Sequence, residues 1–268
     1  MNPTSFTSLI VTYNSATEVL NLLNDLGVYV TTGDIIVIDN ASRDETVPLV
    51  QKHFPQVRLI RNSTNVGYAR AVNQGFDLCI TENVLLLNPD IRIASSRLFS
   101  AMEECLRLSR QVAVAAPLQF KDDEYHRKLN FTWSYSTPMA FRVYASFLVH
   151  HHAMVTKPIR VTFLNAGCLF IRKSAFDMVG KLNEKYFMYG EEPDLFLKFK
   201  RYGYECYLLP DVDVTHYRER SLRTIPISQR LQIKFQAALN ITDALLTGWT
   251  RILFDRFTAR KSKPIEEN

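Results

Sequence analysis

With 268 residues, 47% of them hydrophobic and 22% charged, the chain can bury a full core in one large domain, or in one domain with an appendage. Its net charge of +5 is uneven: residues 1–215 carry 22 Lys+Arg and 22 Asp+Glu, whereas residues 216–268 carry 10 and 5, so the whole excess sits at the C-terminal end and asks for a partner there. Four scattered cysteines, Cys79, Cys105, Cys168 and Cys206, form no Cys-x-x-Cys pair, which argues against a zinc cluster or disulfide framework, and without a basic leader or ~18 uninterrupted apolar residues the expectation is a soluble or peripheral protein in a reducing compartment.

Phe6 to Tyr13 is apolar and β-branched, Asn14-Ser15 breaks it, and Ala16 to Leu26 is amphipathic, with Ser15 and Glu18 at capping-box spacing. Strand, turn and helix follow. Ile35 to Ile38 is a second short strand, Asp39 to Asp44 a polar loop, and Glu45 to His53 a helix. Val57 to Ile60 gives a third strand, Asn62 to Gly67 a loop, and Tyr68 to Ile80 a helix. Val84 to Leu87 is too short for a helix and is bounded by Asn88-Pro89, whose proline pushes the residue before it out of the helical region, so a strand runs into a turn there. Strands alternating with helices imply parallel pairing, right-handed crossovers and a layered α/β domain.

Beyond it, Leu98 to Ser109 reads as helix and Val112 to Pro117 as strand. Residues 119–160 show no clear period and are expected to be a mobile or acceptor-facing segment. Consecutive side chains such as His150, His151 and His152 cannot all face one ion in regular structure, so that tract is not taken as a metal site. Thr162 to Phe170 reads as a strand interrupted at Ala166-Gly167, where a missing side chain admits another backbone or a sugar. Leu195 to Tyr202 is a helix with Phe196 and Phe199 inward.

Polar residues gather at three strand ends, Tyr13-Asn14, Asp39 to Asp44 and Asn88 to Asp90, which parallel pairing makes neighbours on one rim, where open α/β sheets collect ligands. One carboxylate there can accept from a base edge and another can hold a hard cation on a diphosphate. The plainer readings are helix caps for Asp39 and Asp44 and a simple turn for Asn-Pro-Asp. A dinucleotide site is not indicated, because the first strand–helix turn, TYNSATE, lacks the glycines that let a backbone approach a pyrophosphate; a Gly-x-x-x-x-Gly-Lys loop is also missing.

LIVTYNS at 9–15, VIDNASRDET at 37–46, NVGYARAVNQG at 65–75 and LLLNPD at 85–90 resemble four successive motifs of glycosyltransferase family 2, the inverting GT-A enzymes, and most closely its bacterial rhamnosyltransferase-like branch. LNAGCLFIRKSAF at 164–176, YFMYGEEPDLFLKFKRYGY at 186–204 and His216 continue the likeness, which covers about residues 6–220. The resemblance implies a GT-A-like domain over 1–225, its nucleotide-sugar half about 1–95 and its acceptor half about 96–225, followed by a helical segment over 226–268. It implies that Asp39 recognises the base of a nucleotide-sugar donor, with Thr12, Tyr13, Asn14, Asn40 and Asp44 nearby, while Asn65, Gly67, Arg70, Asn73 and Asn88 shape the donor pocket. Asp90 and His216 would hold a divalent metal, Mg2+ or Mn2+, with His216 also closing over the diphosphate. Asn88 stands where other members have the first aspartate of Asp-x-Asp, and an amide is the weaker ligand.

In the family the base is the aspartate of a Glu-Asp-x-Asp motif. Here Glu192 stands at that place, one methylene longer, with Glu191 and Asp194 as acceptor-binding or alternative candidates. Three acids at the head of a helix also satisfy the macrodipole alone. Arg218, Arg220 and Arg223 suit phosphate oxygens. From Ser228 the chain reads as one long helix, or two broken near Gly248. Leu231, Phe235, Ala238, Leu245, Trp249 and Ile252 lie at helical spacing with Arg230, Lys234, Arg251 and Arg256 among them. It would pack back on the domain, or lie on a membrane with Trp249, Phe254 and Phe257 at the interface, and the tail KSKPIEEN is expected to be disordered.

The expected reaction is transfer of L-rhamnose from dTDP-β-L-rhamnose to a lipid-diphosphate-linked saccharide of a bacterial surface polysaccharide, on the cytoplasmic face of the inner membrane and with no nucleic-acid partner. The rivals are another UDP-, GDP- or dTDP-sugar donor, a nucleotidyltransferase, which normally opens with a glycine-rich loop, and a non-catalytic sugar- or lipid-binding relative.

Overall fold

The computed structural model describes residues 6–29, 34–123, 126–129, 156–217 and 227–261. β1 (Thr7–Thr12), α1 (Ala16–Tyr29), β2 (Ile35–Asp39), α2 (Thr46–His53), β3 (Arg58–Arg61), α3 (Tyr68–Leu78) and β4 (Asn83–Leu87) alternate along its first part. The strands pair in parallel in the order β3-β2-β1-β4. β1 is buried at every position, as a strand covered on both faces must be, which is why its sequence runs apolar without polar alternation.

Then come β5 (Ile91–Arg92), α4 (Arg97–Arg107), β6 (Val112–Asp123), β7 (His126–Leu129), β8 (Ile159–Val161), β9 (Cys168–Arg172), α5 (Lys173–Met178), α6 (Glu191–Arg201), β10 (Glu205–His216) and α7 (Ile227–Lys261). β9 inserts antiparallel between β4 and β6, β10 runs parallel to β6, and the two-residue β5 edges β10. The result is a mostly parallel ten-stranded sheet, with β7 on β6 and β8 on β10. Strand alternation divides its apolar residues between two layers. Ile10, Leu85 and Leu87 meet α1, α2 and α4 through Leu22, Val50 and Met102. Leu9, Val84 and Leu86 meet α3, α5 and α6 through Phe76, Phe176 and Phe196. Each such side chain contributes roughly 1.5–3 kcal/mol on burial.

Several elements differ from the expectation. Of the interrupted strand expected over 162–170, residues 168–170 lie in β9 and 162–167 form a loop after β8, where Asn165 Oδ1 accepts the Gly167 N–H at 3.1 Å and turns the chain. β6 runs on past Pro117; the register of β10 shifts between Leu209 and Asp213 beside that proline, so the ladder bulges where a donor is missing. Ser15 donates its hydroxyl to the Tyr13 carbonyl and its N–H to Thr46 Oγ1, both at 3.0 Å. α6 starts at Glu191, four residues earlier than expected.

α7 is one unbroken helix of 35 residues. It passes through Gly248 because a Cβ there would lie 2.4 Å from Leu197 Cδ1, so the glycine serves close helix packing. The single apolar stripe expected along α7 is two. Ala244 and Ile252 are buried, whereas Leu231, Phe235, Leu239, Leu246, Leu253 and Phe254 are exposed, and Lys200 Nζ sits 4.7 Å over the half-exposed Trp249 ring. No described helix is long and apolar enough to cross a membrane. The His150–His152 tract, Arg218, Arg220, Arg223 and the tail beyond Lys261 lie outside the described residues, as does the Phe257 side chain.

Candidate active site

The register that sets Thr12 beside Asp39 and Ile10 beside Leu87 brings the carboxyl ends of β1, β2 and β4 onto one rim. Thr12 and Asp39 are fully buried there. Asp39 Oδ2 accepts the Ser42 N–H at 3.1 Å, but Asp39 Oδ1 and Thr12 Oγ1 have no hydrogen-bond partner among the described residues. Leaving a buried acceptor bare costs on the order of 1–3 kcal/mol. An incoming N–H, such as the imide or amide edge of a base, would recover that cost.

Most other rim residues are spent on loops. Asn14, at φ 48°, donates its N–H to Ser42 Oγ at 2.8 Å and accepts the Arg43 N–H at 2.8 Å. Asp44 is a cap: Oδ1 accepts from the Thr46 N–H at 3.1 Å and its hydroxyl at 2.6 Å, and Oδ2 from the Ala16 N–H at 3.4 Å, so one carboxylate serves two helix N-termini. Asn40 donates to Asn65 Oδ1 at 2.8 Å and accepts the Val66 N–H at 3.1 Å, which fixes the 62–67 loop. Asn65 Oδ1 also takes the Gly67 N–H at 3.0 Å. Tyr13 is 42% exposed at the mouth.

Asn73 and Arg70 both contact the loop over residues 182–184. Asn73 accepts the Leu182 N–H at 3.1 Å and donates to the Leu182 carbonyl and to Glu184 Oε1, both at 3.0 Å, while Arg70 Nε meets Glu184 Oε2 at 3.0 Å. They hold the loop ahead of α6. Gly67 belongs to the same joint: at φ +86° it packs under Phe187, whose carbonyl would be 2.7 Å from a Cβ and accepts the Tyr68 N–H at 2.8 Å.

Asn88-Pro89-Asp90 is both a turn and a site. The Ile91 N–H returns to the Asn88 carbonyl at 3.3 Å, and Asp90 Oδ1 is left 3.2 Å from Nε2 of the buried His216. Gln119 Nε2 donates to the Asn165 carbonyl at 2.8 Å, so its Oε1, 2.9 Å from His216 Nδ1, must be the acceptor, and Nδ1 carries the proton. Nε2 is then the ring nitrogen that faces the Asp90 carboxylate, with Asn88 Nδ2 only at 3.5 Å. Asp90 Oδ1 and a deprotonated Nε2 of His216 are the two groups here that could hold a divalent cation. Among the described residues no third His, Cys, Asp or Glu joins them. Gly167, expected to admit a sugar or a backbone, instead admits this ring: a Cβ there would fall 2.4 Å from His216 Cε1.

The three acids of α6 differ sharply. Glu191 is 3% exposed, Oε2 has no partner among the described residues, and burial, reinforced by the Glu192 charge, pushes its pKa up to about 8. Burial outweighs the helix dipole, which is worth roughly 0.3–1 kcal/mol. Asp194 is buried in an ion pair with Lys198 at 2.8 Å. Glu192 alone is partly exposed, and it lines an apolar crevice with Tyr68, Leu86, Ala166, Leu182 and Phe196.

Tyr68, inside the 65–75 motif but not singled out there, and Gln119, in an aperiodic stretch, also stand beside Asn88 and His216. The Tyr68 hydroxyl donates to Asn88 Oδ1 at 3.3 Å, and burial, then the charges of Glu192, Glu191 and Asp90, hold its pKa well above the ordinary value. It stands between the Asn88–Asp90 turn and the crevice that Glu192 lines.

Comparison with known proteins places this geometry. The family model Glycosyl transferase family 2 matches residues 7–180. N-acetylglucosaminyl-diphospho-decaprenol L-rhamnosyltransferase of Mycobacterium tuberculosis is 24% identical over 247 residues, 85% of this chain and 80% of the relative. Among solved structures, the mannosyltransferase PcManGT from Pyrobaculum calidifontis, in complex with GDP-Man and Mn2+, is similar with a TM-score of 0.60 at 15% identity, covering 99% of this chain and 77% of that one. GalNAc-T7 with UDP, GalNAc and Mn2+ is similar with a TM-score of 0.61 at 16% identity over 80% of this chain, which spans only 44% of that chain.

Proposed function

The chain belongs to glycosyltransferase family 2, and on that premise we propose that it is an inverting transferase whose base is Glu192. The observation that carries the reading is the Asp90–His216 pair at 3.2 Å, beside Asn88, whose partner Tyr68 lines one crevice with Glu192, the one partly exposed carboxylate of α6.

Asp39 and Thr12 receive the donor's base through their unpartnered oxygens. Asp90 and His216 hold a divalent cation, which when bound neutralises charge on the departing diphosphate. The Glu192 carboxylate takes the proton from an acceptor hydroxyl as its oxygen bonds to the anomeric carbon, and the carbon–oxygen bond to the nucleoside diphosphate breaks on the opposite face. Burial, reinforced by the Glu192 charge, raises the Glu191 pKa to about 8, which makes Glu191 a poorer proton acceptor than a free carboxylate.

The donor we propose is dTDP-β-L-rhamnose and the acceptor a lipid-diphosphate-linked saccharide ending in N-acetylglucosamine, giving an α linkage in bacterial surface polysaccharide of the O-antigen type. The support is the name of the mycobacterial relative and the motif likeness. A lipid-linked acceptor calls for a membrane surface, and the exposed residues Leu231, Phe235, Leu246 and Leu253 of α7, in the region holding the excess positive charge, suit a peripheral site on the cytoplasmic face.

The test is release of nucleoside diphosphate from a panel of UDP-, GDP- and dTDP-sugars, with Mg2+ or Mn2+ and a membrane extract as acceptor. Acceptor-dependent release from dTDP-rhamnose, lost in Glu192→Gln while donor binding persists, is expected. Turnover unaffected by Glu192→Gln would overturn the base assignment, and preference for another sugar would replace rhamnose.

A further inference from the structure

α7 grips the loop that precedes the acids of α6. Asn240 Nδ2 donates to the Met188 carbonyl at 3.1 Å, and its own oxygen is steadied by Gln236 Nε2 at 2.9 Å. One turn on, Asp243 Oδ2 accepts from the Tyr186 hydroxyl at 2.6 Å and from Lys185 Nζ at 2.7 Å. Gly190, the residue before α6, has φ +99° and lies so close to α7 that a Cβ there would be 2.9 Å from both Asn240 Cβ and the Asn240 carbonyl oxygen.

Tyr189 has φ 63°, a left-handed conformation for a residue that is not glycine. Such a conformation costs on the order of 1–3 kcal/mol and persists only where surrounding structure enforces it. The strained pair Tyr189-Gly190 leads directly into Glu191-Glu192, so its geometry sets where the first turn of α6 aims. The body of α6 is docked on α7 by separate contacts, Leu197 against Gly248 and Arg201 on Asp255. The clamp on the loop is therefore distinct from the packing of the two helices.

We propose that Asn240 and Asp243 are positioning residues for the transfer: they fix the 185–190 turn and through it the direction of Glu192, which makes the C-terminal helix part of the catalytic apparatus. This rests on the base role proposed for Glu192. A misplacement of about 1 Å costs about 100-fold in rate, so loosening the turn should lower kcat much more than it alters donor binding.

The experiment compares Asn240→Ala and Asp243→Asn with wild type and with Asp255→Ala, which removes an ion pair from the same helix away from the loop. Acceptor-dependent nucleoside diphosphate release, calorimetric binding of the donor, and amide hydrogen exchange are read on each. For Asn240→Ala and Asp243→Asn the expectation is a kcat about 10- to 100-fold lower, donor Kd within about twofold, and faster exchange confined to residues 186–192; Asp243→Glu restores part of the rate, and Asp255→Ala keeps it. Unchanged kcat, or exchange that quickens throughout the domain together with loss of donor binding, overturns the positioning role. Wild-type turnover that Glu192→Gln removes but Asn240→Ala and Asp243→Asn leave intact overturns it without touching the base; wild-type turnover indifferent to Glu192→Gln removes both.

Discussion

The donor rim and the acceptor loop are assembled by different physics. Thr12, Asp39 and Asp90 stand where they do because parallel strands end there, and strand register fixes their spacing through backbone ladders. Residues 181–190 have no helix or strand of their own. Their position comes from side chains reaching in from two helices far apart in sequence, Asn73 and Arg70 on α3 and Asn240 and Asp243 on α7. In the proposed site, the donor side therefore rests on strand ladders and the acceptor side on a few side-chain hydrogen bonds.

The largest effect that separates the halves should come from Asp90→Ala. It removes one of the two proposed ligands and leaves His216 Nε2 opposite a methyl group. With the proposed metal role, turnover should fall about 100-fold or more, and added Mn2+ should no longer tighten donor binding in calorimetry, while the melting temperature stays close to wild type. A variant that binds donor with wild-type Mn2+ dependence would remove Asp90 from the metal site.

Gly67→Ala breaks the joint between the halves. The glycine is left-handed, and a Cβ would press on the Phe187 backbone, which cannot yield as a flexible side chain would. Strain and clash together should cost about 2–4 kcal/mol. Thermal unfolding reads it, and hydrogen exchange should quicken at both 62–67 and 182–190; loss at one loop alone would show that the two are not coupled.

This contrast also decides what could be read from sequence. Short apolar strands with polar residues at their carboxyl ends announced the rim, and Asp39, Asn88, Asp90 and His216 do share it. Asp44 and Asn40 were recognisable as polar loop residues, but whether a carboxylate caps helices or meets a ligand depends on neighbours that only folding supplies. The acceptor side carried no periodicity, because an interaction such as Asn73 with Leu182 joins residues 109 positions apart. Gln119 was hidden for the same reason. On α7 the apolar spacing was visible, but spacing alone does not reveal that one stripe packs inward and another faces out.

A pH dependence is set by Glu191, whose pKa burial raises from 4.5 to about 8. Below about 4.5 both folded and unfolded chains hold the proton. As pH rises, the unfolded chain releases it first and the folded chain keeps it until about 8, so stability falls across that window and levels off above it. Glu191→Gln removes this slope. Its melting temperature should gain on wild type between pH 4.5 and 8.5, by the equivalent of on the order of 5 kcal/mol. Parallel curves for the two proteins would mean that Glu191 is ionised in the fold.

The smallest effects test the α3 side of the clamp, where two contacts on one loop differ in burial. Asn73 is buried and satisfies both the N–H and the carbonyl of Leu182. Arg70 pairs with Glu184 at side-chain exposures of 59% and 41%. Replacing Asn73 by Ala leaves buried backbone groups unpaired, so about 1–3 kcal/mol should be lost. Replacing Arg70 by Ala exposes an ion pair's partner to water already present and should cost under about 1 kcal/mol, less still in high salt. Chemical unfolding of the two variants measures the ratio directly. Equal losses would mean that the loop is held by charge rather than by buried hydrogen bonds, and the acceptor half would then weaken with ionic strength while the donor rim did not.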